Sequence, residues 1–150
     1  MGLMEKIADD MKVAMKSGEK LRLETLRTLR AGLLEMQVEK RPSGGMTPED
    51  EMSVLISASK KRKESIDIFR ANGRNELADQ ESLELSIIQE YLPKQMSAEE
   101  VELAVKKVIA DSGASTAKDF PKVMGPVMKD LKGKADGKMI QETVKRLLGA

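Results

Sequence analysis

Apolar residues recur every three or four positions along almost the whole chain, and strict alternation is hardly seen, so the pattern predicts helices throughout. The first segment places Met4, Ile7, Ala8, Met11 and Met15 on one face and stops at Ser17-Gly18. The second carries Leu26, Leu29, Leu33 and Met36 in alternating steps of three and four, a narrow seam of coiled-coil type, and ends before Arg41-Pro42-Ser43-Gly44-Gly45. Thr47-Pro48 opens a third helix. Thr47 can accept the first-turn amides, and Glu49, Asp50 and Glu51 put negative charge at the positive end of the helix dipole. Its seam of Met52, Leu55, Ser59, Arg62, Ile66 and Phe69 is polar in the middle, which predicts packing at both ends and a wetter centre. A fourth helix follows Asn72-Gly73 with Ala78, Leu85, Ile88 and Leu92 on one side, and Glu81 intrudes into that stripe without an evident reason.

Pro93 makes the sharpest break. Proline disfavours helical geometry in the residue before it and lacks an amide of its own. Ser97-Ala98-Glu99-Glu100 then reads as a capping box that restarts a helix. A domain boundary is expected here, with a hinge at Leu92–Ser97, an N-terminal helical domain over 1–96 and a C-terminal unit over 97–150. The C-terminal unit reads as three short helices. Val101, Ala104, Val105 and Val108 line the first, and Phe120, Val123, Met124, Val127, Met128 and Leu131 the second. Ile140, Val144 and Leu147 line the third, which Asp136 caps. Pro126 inside the second predicts a kink or a lost hydrogen bond. The fold class expected is therefore all-α, a helical N-terminal bundle followed by a small three-helix subdomain.

Composition narrows the chemistry. The 150 residues include no Cys and no His, which excludes disulfides, thiolate metal sites, thiol nucleophiles and Ser–His hydrolases. Aromatics make up 2%, against aromatic-lined sugar or nucleobase sites. The chain is 34% charged with a formal net charge of +1, so any basic surface must come from local segregation. No phosphate-binding glycine loop, dinucleotide fingerprint or nucleophile elbow is present. The acids cluster at helix starts or alternate with Lys and Arg, as on exposed helices. No catalytic, cofactor or metal-ligating set is expected. No apolar run approaches the roughly 20 residues that span a bilayer, and a soluble cytoplasmic protein with no membrane contact is expected.

Three basic clusters remain. Lys129-Asp130-Leu131-Lys132-Gly133-Lys134-Ala135-Asp136-Gly137-Lys138 sets four lysines and two glycines around an interhelical turn. Helix-opening amides and lysines beside them suit a phosphate, while a solubilising turn built from a C-cap and an N-cap explains the same residues. Lys60-Lys61-Arg62-Lys63 spreads around most of a helix and makes no single stripe. Arg22, Arg27, Arg30 and Arg41 can contact phosphates or pair with neighbours such as Glu24 and Glu35. The 11 methionines serve either as core filling or as adaptable binding surface.

The run Val123-Met124-Gly125-Pro126-Val127-Met128 into Lys132-Gly133-Lys134-Ala135-Asp136-Gly137, followed by an amphipathic helix, resembles the GatB/YqeY family. So does Tyr91-Leu92-Pro93-Lys94-Gln95 with a capping Ser97. Leu21-Arg22-Leu23-Glu24-Thr25-Leu26-Arg27 and Lys60-Lys61-Arg62-Lys63-Glu64-Ser65-Ile66 resemble the free-standing YqeY-like proteins, so the resemblance covers essentially the whole chain. It implies a relative of the C-terminal tail of the B subunit in the tRNA-dependent Asp/Glu amidotransferase, a domain also appended to some glutaminyl-tRNA synthetases, where it helps hold tRNA. The family's label of carbon–nitrogen ligase activity with glutamine as amido-N-donor belongs to the whole amidotransferase, and this chain has no residues onto which its reaction centres carry over. What carries over is tRNA contact, onto Lys132, Gly133, Lys134, Ala135 and Gly137, with Lys122, Lys129 and Lys138 beside them. The resemblance thus implies a non-catalytic tRNA-binding accessory protein without a cofactor. Its partners would be tRNA and a tRNA amidotransferase or aminoacyl-tRNA synthetase. The alternative is a helical protein–protein adaptor with Met-rich packing surfaces.

Overall fold

The structure, a computed structural model, describes residues 2–149. Among them seven α-helices form and no strand does: α1 (Leu3–Ser17), α2 (Lys20–Lys40), α3 (Pro48–Ala71), α4 (Asn75–Gln89), α5 (Ala98–Ser112), α6 (Phe120–Leu131) and α7 (Gly137–Leu147), with short 3-10 turns at Arg41–Ser43 and Ala117–Asp119. The all-α class expected from the periodicity is the class that forms. None of these helices is long and apolar enough to cross a membrane.

Local signals set the ends. Gly18 closes α1 at φ 74°, a left-handed geometry that returns its amide to the carbonyls of Ala14 and Met15. At the start of α3 the Thr47 hydroxyl accepts from the Asp50 amide at 3.2 Å, and the Asp50 carboxylate accepts from the Thr47 amide at 2.9 Å. The bond from the Thr47 amide first, and then the Thr47 hydroxyl, which donates to the same carboxylate at 2.9 Å, hold the Asp50 carboxyl below the usual carboxylate range. Ser97 and Glu100 form the same reciprocal cap at α5.

The chain divides into two compact units, Met1–Leu92 and Pro93–Ala150. The division falls before Pro93 rather than after Met96, because residues 95 and 96 bond to the turn between α6 and α7.

In the first unit α2 packs against α1, α3 and α4, and α3 pairs with α4. Ile7, Leu26, Leu29, Leu33, Leu55 and Ile87 form the buried core. Met4 and Met11 pack on it, but Met15 is 60% exposed and Ala14 is buried in its place. Helical geometry explains the exchange. A step of seven from Ile7 lands about 20° from its direction, and a step of eight about 80° away. At the far end of α4, Arg22 grips Glu90 bidentately at 2.7 and 3.1 Å, the Tyr91 hydroxyl donates to Asp10, and the Lys6 ammonium lies 5.4 Å from the Tyr91 ring. Burial, reinforced by the Asp10 bond, pushes the Tyr91 phenol well above its ordinary value.

The polar middle of α3 finds its explanation on α4. Arg62 Nη1 lies 3.1 Å from Glu81 and 2.9 Å from Glu84, so the two charges that interrupt separate apolar stripes are partners across one interface. Glu84 is buried, and its Oε2 sits close to Nη1 without an aligned hydrogen bond. Burial raises the Glu84 carboxyl above its usual range; Arg62 opposes that shift and Glu81 adds to it.

The second unit has its own core of Val101, Val105, Val123, Val127, Leu131, Ile140, Val144 and Leu148. Phe120, Met124, Met128 and Met96 pack against it, so these methionines act as filling where aromatics are scarce. Leu148 rather than Leu147 is the buried end of the last stripe, four residues beyond Val144. Pro126 sits inside α6 at an exposed position and supplies no amide for the Lys122 carbonyl.

The arginine cluster gives two predictions. Arg62→Met strands two carboxylates against each other and should cost about 2–4 kcal/mol in urea unfolding, somewhat under the figure for a fully buried pair because the cluster is partly exposed. Glu84→Gln should have a pH-dependent effect. A raised carboxyl contributes its stability below the ordinary carboxylate value and loses it as pH rises through the folded value. The substitution should therefore stabilise more at neutral pH than in mild acid. A melting-temperature difference that is flat with pH would refute the assignment.

Candidate nucleic-acid interface

The turn between α6 and α7 is built from the inside out. Leu131 ends α6 in the core, and Lys132 leaves the helix with φ −56° and ψ 124°. Gly133 follows at φ 78°, buried, where a side chain would be strained. The Lys134 amide returns to the Leu131 carbonyl at 2.9 Å, which closes the turn. Asp136 caps α7 by accepting from the Lys138 amide at 3.4 Å.

The turn does not stand alone. Gln95 Nε2 donates to the Gly133 carbonyl at 2.8 Å and to the Pro93 carbonyl at 2.9 Å. The Met96 amide donates to the Lys134 carbonyl at 2.8 Å. Residues 93–96, read from sequence as a boundary, are thus a strap that fixes two successive carbonyls of the lysine turn. Gln95 enters the sequence reading only as the end of the run that resembles the family, not as a site residue. Its only signal is that Pro93 interrupts the helical ladder, leaving nearby polar groups in need of partners.

The predicted site residues separate into two kinds. Lys122, Lys129, Lys132, Lys134 and Lys138 are all exposed, and among the described residues none is in an ion pair with a carboxylate. Gly133 is buried, Ala135 is half-buried against the core, and Gly137 is half-buried, with Met128 Cε 3.8 Å from where a Cβ would lie. These three shape the turn; the lysines carry its charge. The expected convergence of helix amides and lysines on one phosphate is also modified. Asp136 already occupies the Lys138 amide, and its negative charge sits at the end of α7 that would attract an anion. The groups that the turn leaves available to an anion are therefore the lysine ammonium groups. Asp119, at the other end of α6, is held below its ordinary range by the amides of Ser115 and Thr116 and stays ionised.

The other basic clusters do not form surfaces of this kind. Arg62 turns inward to Glu81 and Glu84, while Lys60 and Lys61 stay exposed and Lys63 is half-buried. Arg27 pairs with Glu24 at 2.6 Å, and Arg22 with Glu90 at 2.7 Å. For those two arginines, neighbouring acids are the partners.

The family model described as Yqey-like protein matches residues 4–148. Three curated relatives share one name, "Altered inheritance of mitochondria protein 41, mitochondrial". The protein from Pyrenophora tritici-repentis is 27% identical over 151 aligned positions, covering 99% of this chain and 82% of the relative. Those from Eremothecium gossypii and Lachancea thermotolerans are 32% and 33% identical over 102 and 99 positions, covering 67% and 65% of this chain. The matched region spans about half the length of these two relatives, 54% and 51%. The names overturn the cytoplasmic location expected from the sequence, since they point to mitochondria. That expectation rested on the absence of targeting signals in the residues at hand, and composition of a folded domain carries no address.

The strap and the turn predict two losses in stability. Gly133→Ala forces a left-handed backbone on a residue with a Cβ and should cost about 1–2 kcal/mol. Gln95→Leu removes the donor from two carbonyls and should cost about 1–3 kcal/mol. Urea unfolding followed by circular dichroism reads both, and unchanged midpoints would deny the strap its role.

Proposed function

The chain belongs to the YqeY-like protein family, and from that premise we propose that it is a non-catalytic accessory protein that binds tRNA through the lysine-rich turn between α6 and α7. The YqeY family is the domain found in the C-terminal region of the amidotransferase B subunit, which favours a tRNA-handling role. The observation that carries the reading is the turn itself: Lys129, Lys132, Lys134 and Lys138, exposed and without a carboxylate partner among the described residues, flank a backbone fixed by Gln95 and Met96. Ammonium groups on a fixed turn meet phosphates without reading bases, and the chain's few aromatics offer little for stacking. Recognition would then rest on the shape and charge of the RNA backbone. A tRNA amidotransferase or an aminoacyl-tRNA synthetase is the protein partner this role suits. The setting that the relatives' names support is the mitochondrion.

The non-catalytic part of the proposal rests on the missing Cys and His and on a basic turn with no nucleophile–base pair. Ammonia release from glutamine by the purified protein should equal a blank. Release abolished by a single Ser or Lys substitution would revive a ligase reading.

The binding part is tested by changing Lys132, Lys134 and Lys138 together to Ala. Binding should weaken about equally for every tRNA tried. The slope of log affinity against log salt should flatten by about 0.7 to 0.9 for each phosphate that the variant no longer neutralises. Stability should stay within about 0.5 kcal/mol, because exposed lysines contribute little. Lys60→Ala with Lys63→Ala is the control and should change the slope less. Unchanged affinity and slope in the turn variant would remove the assignment, and no binding by the unaltered chain would favour the adaptor reading.

A further inference from the structure

The first unit holds a feature that the tRNA reading does not use. A cleft of about 560 Å³ opens along α2 and α3, within the usual size range of small-ligand sites. Leu29, Val54, Ala58 and Ile88 give it an apolar lining. Ser57 and Ser65 add hydroxyls that have no hydrogen-bond partner among the described residues. Lys61 and Arg62 are its charged residues, and no acid lines it.

The two cations differ in what they can offer. Arg62 spends Nη1 on Glu81 and Glu84, which reach it from α4 and do not line the cleft. Its Nη2 and Nε have no partner among the described residues. Two carboxylates outweigh its charge, so it supplies directed hydrogen bonds and no net positive charge, and attraction for an anion rests on Lys61. Lys61 is exposed and pairs with no carboxylate among the described residues, so its charge is available.

The cleft is elongated. Its α3 wall runs from Ser53 to Ser65, about 18 Å at the helical rise. Gly32 keeps the walls close, since a Cβ there would come within 3.3 Å of Val54 Cγ1. Its two charges lie side by side toward one end and the apolar residues run away from them, a layout that matches a linear molecule with one anionic end.

We propose that the cleft binds one linear amphipathic anion, an alkyl chain ending in a carboxylate or a phosphate. The head group meets Lys61 and the spare N–H groups of Arg62, and the chain lies along Leu29 and Val54 toward Met36. From Arg62 to Val54 the wall measures about 12 Å, which suits a chain of medium length.

The test uses the full chain with methyl-labelled methionine, so that Met36 reports from inside the cleft and Met124 and Met128 from the other unit. Decanoate and decyl phosphate are titrated separately below their micelle concentrations, with decyltrimethylammonium as the cationic control. The Met36 methyl signal should shift and saturate with the anions, with Met124 and Met128 unmoved, and the tighter of the two anions identifies the head group. Lys61→Gln should weaken binding about tenfold, the loss of one charge-assisted hydrogen bond. Ser57→Trp, on the exposed rim, should block the cleft and abolish the shift. A Met36 signal that does not move, equal binding of the cationic amphiphile, or unchanged affinity in Lys61→Gln overturns the proposal. None of these outcomes bears on tRNA binding, which is assigned to other residues.

Discussion

A buried carbonyl must find a donor, and the candidate interface depends on how one such group finds it. Leaving α6 after the core residue Leu131 brings Gly133 inside, where its carbonyl is beyond the reach of bulk water. No amide within the turn serves it. Gln95 does, and Met96 serves the next carbonyl. Because these bonds fix the backbone on both sides of Lys134, the lysines extend from a rigid base, and only their side chains have to be ordered on meeting an anion. That lowers the entropic cost of binding without adding a new interaction. The same bonds explain why the second unit begins at Pro93: the residues after proline belong to the turn they hold.

The first unit shows the opposite use of polarity. Arg62, Glu81 and Glu84 place three charges in an interface that periodicity marks as apolar. Such a cluster is a weak source of stability, since desolvation offsets much of the attraction. With two acids to one base it carries excess negative charge, but burial is the main reason that the Glu84 carboxyl is raised, with Glu81 adding to it and Arg62 opposing it. What the cluster provides is registry, because sliding α3 along α4 by one turn would strand each member. The acids that cap helices behave in the other direction. Asp50 and Asp119 face backbone amides and stay easily ionised. Glu102, inside α5, is held low by a different cause, its ion pairs with Lys106 and Arg146.

The helices were legible in the chain because apolar spacing and end signals agree: Thr47 with Asp50 and Ser97 with Glu100 each mark a start from residues three apart. Met15 shows where that legibility ends, since two candidates one step apart differ by the angle at which they meet a neighbour. Arg62 and Glu81 were visible as irregularities, each in its own stripe, but their partnership spans 19 residues and exists only once α3 and α4 fold back together. The lysines of the turn were legible from composition, and Asp136 as a cap from its position. Gln95 was not, because its bond to Gly133 crosses 38 residues and nothing local announces it. The cleft was invisible for the same reason: the hydroxyls and cations of α3 look ordinary alone and acquire meaning only opposite α2.

Asp136 sets a limit on what the turn can do. A helix start with unoccupied amides holds one phosphate at a fixed place. Here the aspartate takes that place, so anions meet lysine ends a side-chain length away from the backbone. Ammonium groups on flexible stems are point charges rather than forked donors, and they tolerate small displacements of a phosphate. A surface of this kind follows a curved backbone without demanding one geometry. Discrimination among RNAs of similar shape would then have to come from a partner protein, which is the physical reason an accessory role fits this turn better than an autonomous one.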